Sequence, residues 1–318
     1  METLRLGIIA CIHGNIKALR RILKKFKKEN IDALILAGDI PKDESQLNSI
    51  KNVIKTALSL KKPIYAIPGS HESFDAYTKA LKIYKKNKLI YDCTLTKNRT
   101  VKIKSHKLIF LPGSDSSSKG AGYRLVKDKK QAKEFVKYAK SFKEHFFGKT
   151  KTFIIKELSN LIKPKDNPTV ICHVPPKFNK KQAIDVATFG KPTKDFIILR
   201  KHKNLDKTTG GELITKDNTV FPIETAKKYI KAGYPVEILS KNVGNEYLKK
   251  TLKQLKVKKF ICGHIHEAGH KATNFKGNPI KQNAWSKELY YNCAAGTEGR
   301  TGIYIIKGSL AKYKNIKA

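Results

Sequence analysis

The first 40 residues contain two short apolar runs separated by an amphipathic pattern, and this order restricts the fold more than any other sequence feature. Leu4–Ala10 and Ala33–Leu36 have the length and aliphatic content of buried strands. Between them, Ile16–Glu29 predicts a helix, because its apolar residues recur at steps of three and four positions. Strand, helix and strand in this order predict an α/β fold, in which functional sites form where strands end.

Further short apolar runs continue this pattern almost to the end of the chain. Each is rich in β-branched or aromatic residues, and most end at a cluster of glycine, serine or histidine. The additional predicted strands are Pro63–Ile67, Leu89–Tyr91, Lys107–Leu111, Thr169–Cys172, Lys259–Cys262, Leu289–Asn292 and Gly302–Ile306.

Two segments resemble insertions into one domain that spans residues 1–318. The first, at about 114–165, carries a long basic amphipathic helix predicted at Asp128–Phe147 and continued by Phe153–Ile162. Its apolar stripe either packs on the domain or docks an anionic partner. The second, at about 177–240, has predicted turns at Thr208–Gly211 and a basic stretch at Arg200–Lys207.

The net charge of +40, from 66 basic and 26 acidic residues, gives the protein a strongly positive field. Such a field attracts phosphates and nucleic acid, which makes nucleic acid a candidate partner. Only seven of the basic residues are arginine, however. Proteins specialised in nucleic-acid recognition rely on arginine for bidentate contacts. The charge therefore indicates either a polyanionic partner or a compositional bias towards lysine.

Several classes of protein are excluded by what the sequence lacks. No apolar run approaches the roughly 20 residues of a membrane span, and the start of the chain has no signal-peptide pattern. Five cysteines without short spacings form neither a disulfide framework nor a zinc motif. We therefore expect a cytoplasmic globular protein; the sequence does not set its oligomeric state.

Polar residues of the kinds that bind metals follow six of the predicted strands. Five of the nine histidines and one aspartate fall in these clusters. Imidazole and carboxylate together suit Zn, Mn or Fe. His264 and His266 are two positions apart, which on an extended segment places both rings on one side, as a shared metal requires. The clusters are Cys11–Asn15, Gly38–Asp39, Pro68–Glu72, Cys172–Pro176, Cys262–Glu267 and Asn292–Gly296.

In this order the clusters resemble the calcineurin-like metallophosphoesterases, whose pattern is D-x-H, G-D, G-N-H-E/D, H and G-H-x-H. The match runs from residue 4 to about 306 and is most specific at His173–Pro176 and Gly263–Glu267. The former, with Val243–Asn245, is most similar to the archaeal and bacterial branch related to cyclic-nucleotide phosphodiesterases. The resemblance implies a four-layer α/β/β/α sandwich with one or two divalent metal ions at the strand ends.

The resemblance also implies a role for each matching position. One metal would be held by Cys11, His13, Asp39 and His266, and the other by Asp39, Ser70, His173 and His264. His71 would contact the phosphate and protonate the leaving group, since histidine acts as a general acid near neutral pH. Asp39 would bridge the ions, which in two-metal hydrolases lie about 3.5–4 Å apart and clamp the attacking and leaving oxygens.

Two positions depart from the family pattern. Cys11 stands where the family has aspartate, and Ser70 where it has asparagine. At position 70 the neutral hydroxyl oxygen of serine replaces the neutral amide oxygen of asparagine. At position 11 the cysteine sulfur favours Zn or Fe over Mn, and it binds a metal only as thiolate. The alternative for Cys11 is a small buried apolar residue at the end of a strand.

The sequence thus predicts a metallophosphoesterase that hydrolyses a phosphodiester or nucleotide, with a nuclease included. The alternative is a weakened or inactive protein of the same fold that binds nucleic acid or a ribonucleoprotein through its basic surface. Cys11, Ser70 and the charge support this alternative.

Overall fold

Strands dominate the secondary structure. The structure, a computed structural model, describes residues 2–43, 46–116, 122–142, 149–163, 165–201, 208–217 and 219–318. The strands are β1 Thr3–Ile9, β2 Ala33–Ala37, β3 Ile64–Ile67, β4 Ile90–Asp92, β5 Thr100–Ile103, β6 His106–Leu111, β7 Tyr123–Val126, β8 Lys151–Ile154, β9 Thr169–Cys172, β10 Val186–Pro192, β11 Phe196–Lys201, β12 Thr208–Ile214, β13 Phe221–Pro222, β14 Val236–Asn242, β15 Lys259–Cys262, β16 Ala272–Thr273, β17 Leu289–Asn292, β18 Arg300–Lys307 and β19 Leu310–Lys317.

The helices are distributed along the whole chain. They are α1 Ile16–Lys28, α2 Gln46–Leu58, α3 Phe74–Ile83, α4 Lys129–Phe142, α5 Leu158–Leu161, α6 Ile223–Lys231 and α7 Glu246–Gln254. None of the helices in the described ranges is both long enough and apolar enough to cross a bilayer.

Contacts divide the chain into two compact units, Met1–Asp185 with Val243–Ala318, and Val186–Asn242. The smaller unit contains a three-stranded sheet in the order β13-β10-β14, the hairpin β11-β12 and helix α6. Its small core consists of Ile214, Phe221, Ala226 and Val236. The assignment of one domain with insertions at about 114–165 and 177–240 stays a prediction.

Two six-stranded sheets form the frame of the larger unit. The first has the order β19-β18-β1-β2-β3-β4, and the second has the order β16-β17-β15-β9-β6-β5. Strands β1 to β4 are parallel, as are β6, β9, β15 and β17, so each sheet collects several carboxyl ends at one edge. Such an edge is where α/β proteins place their functional groups.

The two sheets pack face to face, with helices on their outer faces. Alternate residues of β1, including Leu4 and Leu6, join a buried cluster with Phe110 and Ile261 of the second sheet. The opposite faces of the strands share a second buried cluster with residues of α1, α2, α3 and α7. This arrangement is the predicted four-layer α/β/β/α sandwich, and the nine predicted strands are confirmed with shifts of one or two residues at their ends.

Helix α1 shows how the sequence specifies the outer layer. Asn15 begins it, since its side chain accepts a hydrogen bond from the backbone N–H of Ala18 at 3.0 Å. The predicted apolar stripe is buried, and Phe26 is fully so. Burial of a side chain of this size contributes about 1.5–3 kcal/mol. Lysines in the last turn favour the negative end of the helix dipole.

Two predicted elements differ in the structure. The predicted helix at Phe153–Ile162 is wrong at its start, because Phe153 lies in β8, pairs with Leu125 of β7 and stacks its ring on Tyr123, whereas Leu158–Leu161 is helical as α5. Thr208–Gly211 is not a turn but the start of β12, which pairs with β11. In both cases cross-strand pairing outweighs local preference.

The basic helix predicted at Asp128–Phe147 is present as α4, from Lys129 to Phe142. The remainder of that prediction, and His202 to Lys207 of the predicted basic stretch, lie outside the described residues. Phe135 of α4 lies under the Arg124 guanidinium at 4.8 Å, so at least part of the apolar stripe packs on the larger unit.

Candidate metal centre

Loops at the carboxyl ends of five strands bring all eight predicted site residues to one edge of the two sheets. In the first sheet they follow β1, β2 and β3, and in the second they follow β9 and β15. Three groups have ligand atoms within 4.8 Å of one another, namely Cys11 with His13 and His266, Cys11 with Asp39 and His173, and His13 with Asp39 and His71.

The loops that carry these residues have an unusual backbone. Cys11, His13, Asp39 and His264 have positive φ angles of 54°, 44°, 55° and 69°. Residues other than glycine adopt this region at a cost of about 1–3 kcal/mol each, and such residues concentrate at functional sites. Backbone hydrogen bonds hold the loops together, for example from the N–H of His13 to the carbonyl of Asp39 at 3.0 Å.

Asp39 lies at the middle of the centre and is buried. Its Oδ1 accepts hydrogen bonds from the backbone N–H groups of Ser70 and His71 at 2.6 and 3.0 Å, and the Ser70 hydroxyl donates to both carboxylate oxygens. Burial alone would raise the pKa of Asp39, but the neighbouring imidazole of His173 holds that pKa well below its usual range. Asp39 is therefore a fixed negative charge.

His173 is fully buried, and its two ring nitrogens have different surroundings. Nδ1 lies 2.8 Å from the carbonyl oxygen of Ala37, which orients the ring. Nε2 lies 3.1 Å from Asp39 Oδ2 but lacks a hydrogen bond of good geometry to any described residue. Burial lowers the pKa of His173, but the Asp39 carboxylate outweighs this effect and raises that pKa to about 9. A proton therefore lies between the two groups in the structure, and a bound metal ion would take its place.

Glycines beside Asp39 and His173 make this approach possible. At Gly38, where φ is +91°, a Cβ would lie 2.4 Å from His173 Nδ1. At Gly69 a Cβ would lie 2.5 Å from Asp39 Oδ1 and 2.7 Å from the His173 ring. Neither position has space for a side chain, so both glycines are required by the packing of the site.

The imidazoles of His13 and His264 are neutral at physiological pH. Burial lowers the pKa of each to about 4, against the raising effect of Asp39. Neutral imidazole is the form that binds metals. The His13 ring lies 5.6 Å from that of His266, and the His264 ring lies 4.9 Å from that of His173, so the rings form two pairs.

Cys11 is fully buried, and its sulfur lies among the ligand atoms. Sγ accepts a hydrogen bond from the backbone N–H of His264 at 3.3 Å. Burial, assisted by the negative charge of Asp39, raises the pKa of the Cys11 thiol well above its usual value. The thiol is therefore protonated in the structure and must lose its proton to bind a metal.

His71 lies at the open side of the centre, with its ring 4.7 Å from that of His13. Its Nδ1 is 2.9 Å from Oδ1 of Asp43, and a quarter of its side chain is exposed. A carboxylate on one nitrogen orients the ring and leaves Nε2 as the nitrogen that can exchange a proton with a substrate. Asp43, which follows Asp39 by four residues, was not among the site residues expected from the sequence.

Other supporting residues were also missed. Glu72 is buried, and its carboxylate accepts hydrogen bonds from the backbone N–H groups of Ile40 and Gly69 at 2.8 and 2.7 Å, which joins two loops of the site. Ser116 Oγ lies 3.3 Å from His264 Nε2. Of the three missed residues, Asp43, Glu72 and Ser116, only Glu72 occupies a position of the family pattern, so only Glu72 could have been identified from the sequence.

The expectation that His264 and His266 share an extended segment is wrong. His264 has a left-handed backbone, and His266 begins a short 3₁₀ helix, His266–Ala268. The two rings consequently contact different neighbours. The carbonyl of His266 accepts a hydrogen bond from Arg300 Nη2 at 3.0 Å, so Arg300 supports this turn.

The chemistry of these donors fits a divalent metal. The neutral imidazoles of His13 and His264 lie at the same edge as a carboxylate and a thiol, and the buried Nε2 of His173 faces the Asp39 carboxylate at 3.1 Å. Metals of intermediate softness such as Zn and Fe suit this mixture. Which of the eight residues bind an ion, and how many ions bind, stay predictions.

Known proteins resemble this chain in sequence pattern and in fold. The family model described as calcineurin-like phosphoesterase matches residues 4–268. The solved structure of TT1561 from Thermus thermophilus is similar with a TM-score of 0.53 and 9% identity, over 99% of each chain. A dimetal phosphatase from Danio rerio is similar with a TM-score of 0.54 and 9% identity, over 99% of this chain and 96% of that one. At such identities the structures show a shared fold, and no curated protein sequence matches the chain.

Proposed function

The chain belongs to the calcineurin-like phosphoesterase family, and on this basis we propose that it is a metal-dependent hydrolase that cleaves phosphodiesters. The observation that carries the proposal is the convergence of His13, Asp39, His173, His264 and His266 at the carboxyl ends of strands from two sheets. Packing alone does not require ionisable side chains from four separate loops in one buried place.

In the proposed assignment, Asp39 would help to hold either one or two ions. Cys11, His13 and His266 would complete one site, and Ser70, His173 and His264 would complete the other. When bound, divalent metal would stabilise the negative charge of the phosphoryl group and lower the pKa of the attacking water. Glu72 binds the loop that follows Asp39 and the neighbouring loop at Gly69, and the backbone N–H of Ser70 binds the Asp39 carboxylate. The Asp39 side chain is therefore held in place and needs little reorganisation during the reaction.

His71 would supply the proton that the leaving oxygen needs. The Asp43 carboxylate beside Nδ1 orients the ring, so Nε2 faces the substrate as the nitrogen that can transfer a proton. His71 is exposed on one side, unlike His173, and can therefore reach a substrate that enters from solvent.

The direct test is hydrolysis of bis(p-nitrophenyl) phosphate by purified protein supplied in turn with Mn²⁺, Zn²⁺ and Fe²⁺. We expect turnover with at least one metal, and loss of turnover in excess EDTA. A folded protein that binds metal and yet fails to hydrolyse this substrate and a panel of natural phosphodiesters with all three metals would contradict the proposal.

The two departures from the family pattern lead to a second prediction. Cys11→Asp with Ser70→Asn should raise Mn²⁺ affinity by about 10–100-fold, the range by which changes around a metal alter its affinity. The reason is that an ionised carboxylate replaces a buried protonated thiol and suits Mn better than sulfur does. Isothermal titration with Mn²⁺ and Zn²⁺ on the wild type and the double variant measures this.

The double variant also separates the two candidate functions. If the wild type is an enzyme adapted to a sulfur ligand, it turns over with Zn²⁺ or Fe²⁺ before any substitution. A wild type inactive with every metal, together with an active double variant, would instead support the inactive nucleic-acid-binding alternative. The observation that favours that alternative is a fully buried cysteine at the position where the family has aspartate. Unchanged Mn²⁺ affinity in the double variant would contradict the assignment of both positions to the metal centre.

A further inference from the structure

A basic pocket of about 570 Å³ lies beside the amino-terminal part of α7, outside the metal centre. Of its described lining residues one is acidic, Glu246, and this glutamate already pairs with Lys250 at 3.2 Å. The remaining charges are positive, so the pocket favours an anion. Its lysines are Lys177, Lys180, Lys249, Lys250 and Lys276.

One of these lysines is held in a fixed position. The ammonium of Lys249 lies 3.6 Å from the ring centres of both Phe178 and Phe275, and it donates a hydrogen bond to the carbonyl of Phe275. Cation–π contacts with two rings restrict a side chain that is otherwise flexible. Burial lowers the pKa of Lys249 to about 8, which a bound anion would oppose.

The walls of the pocket are packed against each other. At Gly277, where φ is +84°, a Cβ would lie 3.0 Å from the Phe178 ring and 3.1 Å from Lys180 Cγ. The turn that contains Lys276 therefore rests directly on the segment that contains Lys180. Two cationic side chains from different parts of the chain are thus brought to one opening by tight backbone contact.

The pocket is close to the metal centre along the chain. Lys177 follows His173 by four residues, which span at most about 14 Å when fully extended. The backbone of Lys177 also donates a hydrogen bond to the carbonyl of Asn245 at 3.1 Å, and the Asn245 side chain donates to Asp115 at 2.7 Å. Asp115 precedes Ser116, the neighbour of His264.

We propose that this pocket binds backbone phosphates of a single-stranded nucleic acid whose scissile phosphodiester occupies the metal centre. This inference rests on the proposed function and adds its substrate class. The four residues from His173 to Lys177 limit the separation of these two residues to about 14 Å, which at most roughly four nucleotides span at the stacked spacing of about 3.4 Å per nucleotide. Single-strand grooves commonly cover roughly 4–16 nucleotides, so a strand of ordinary site size is long enough to contact both places.

The test is fluorescence anisotropy with a fluorescein-labelled phosphorothioate dT decamer, which resists hydrolysis, and the full chain with its metals. Lys180→Ala with Lys276→Ala should raise Kd by about fivefold or more. The slope of log K against log salt should become shallower by about 1.4, because each lost contact to a single strand removes about 0.7. Both lysines are exposed, and thermal melting verifies that the variant is folded.

A matched control distinguishes a pocket from the general positive charge. Lys24→Ala with Lys28→Ala removes the same charge from the exposed face of α1 and should leave both Kd and the slope nearly unchanged. Equal effects from the two pairs, or no effect from the pocket pair, would overturn the inference. So would wild-type protein that binds dTMP as tightly as the decamer, since the pocket would then hold a free nucleotide.

The proposed function can fail without affecting this experiment. Repeating the titration in EDTA measures decamer binding without metal. A protein without hydrolase activity that still shows the difference between the two lysine pairs would retain the pocket as a nucleic-acid site, and only its link to cleavage would be lost. Decamer binding that is equal in all variants, together with active hydrolysis of small diesters, would reject the pocket alone.

Discussion

Replacing Asp39 with asparagine is expected to remove bound metal and to lower phosphodiester hydrolysis by at least about 10³-fold, the upper end of the loss on removing one preorganised charge-stabilising group. Asp39 is the carboxylate nearest the middle of the centre, and its ligand atoms lie within 4.8 Å of those of Cys11 and His173 in one group and of His13 and His71 in another. Asp39 thus belongs to two of the three ligand groups, and the proposed assignment makes it a ligand of both ions, so its loss should affect every ion bound there. Asparagine keeps the shape of the side chain but not its charge.

Metal content and turnover are measured on the same preparation, by elemental analysis and by hydrolysis of bis(p-nitrophenyl) phosphate. Asp92→Asn provides the control, because Asp92 is partly buried and also accepts a hydrogen bond from a backbone N–H, that of Thr94 at 2.9 Å. We expect the control variant to retain metal and activity. An Asp39→Asn protein that retains both would show that Asp39 does not hold the metal.

His71→Asn should lower kcat by about 10²–10⁴-fold, the usual contribution of a general acid, while metal content stays that of the wild type. The reason is geometric, since Nδ1 faces Asp43 and only Nε2 remains for the substrate. Loss of an acid affects substrates with poor leaving groups most. The defect should therefore be larger for an alkyl phosphodiester than for bis(p-nitrophenyl) phosphate.

His106→Asn is the matched control for this variant. His106 begins β6, at the end of the strand opposite the metal centre, and its Nε2 lies 3.1 Å from the carbonyl of Glu2. We expect this change to leave kcat unaltered. If His71→Asn instead loses metal, His71 is a ligand, and an equal defect for good and poor leaving groups would show that it positions the phosphate without transferring a proton.

Much of this centre could be predicted because parallel strands bring their carboxyl ends together. Once Leu4–Ala10, Thr169–Cys172 and Lys259–Cys262 were identified as strands, the residues that follow them had to meet at sheet edges. Which sheet each strand joins did not follow from periodicity. The family resemblance supplied the four layers, and the structure confirms them.

The remaining details depend on contacts that no local pattern records. The left-handed backbone of His264 and the turn at His266 are set by loop packing, so their spacing of two residues was misleading. The family pattern contains the position of Glu72, but its contacts with two backbone N–H groups of the interior could not be predicted from the sequence. The apolar residues from Phe153 onwards have the spacing of a helix, but Phe153 lies in an extended strand, β8, because this segment pairs with β7.

Metal analysis of the folded wild type decides whether the residues around Asp39 form a metal centre. After purification without chelator and titration with Zn²⁺, we expect between about one and two ions per chain by elemental analysis, with none bound to Asp39→Asn. A folded wild-type protein that binds no divalent ion under these conditions would contradict the assignment of this cluster as a metal centre, and with it the proposed hydrolysis.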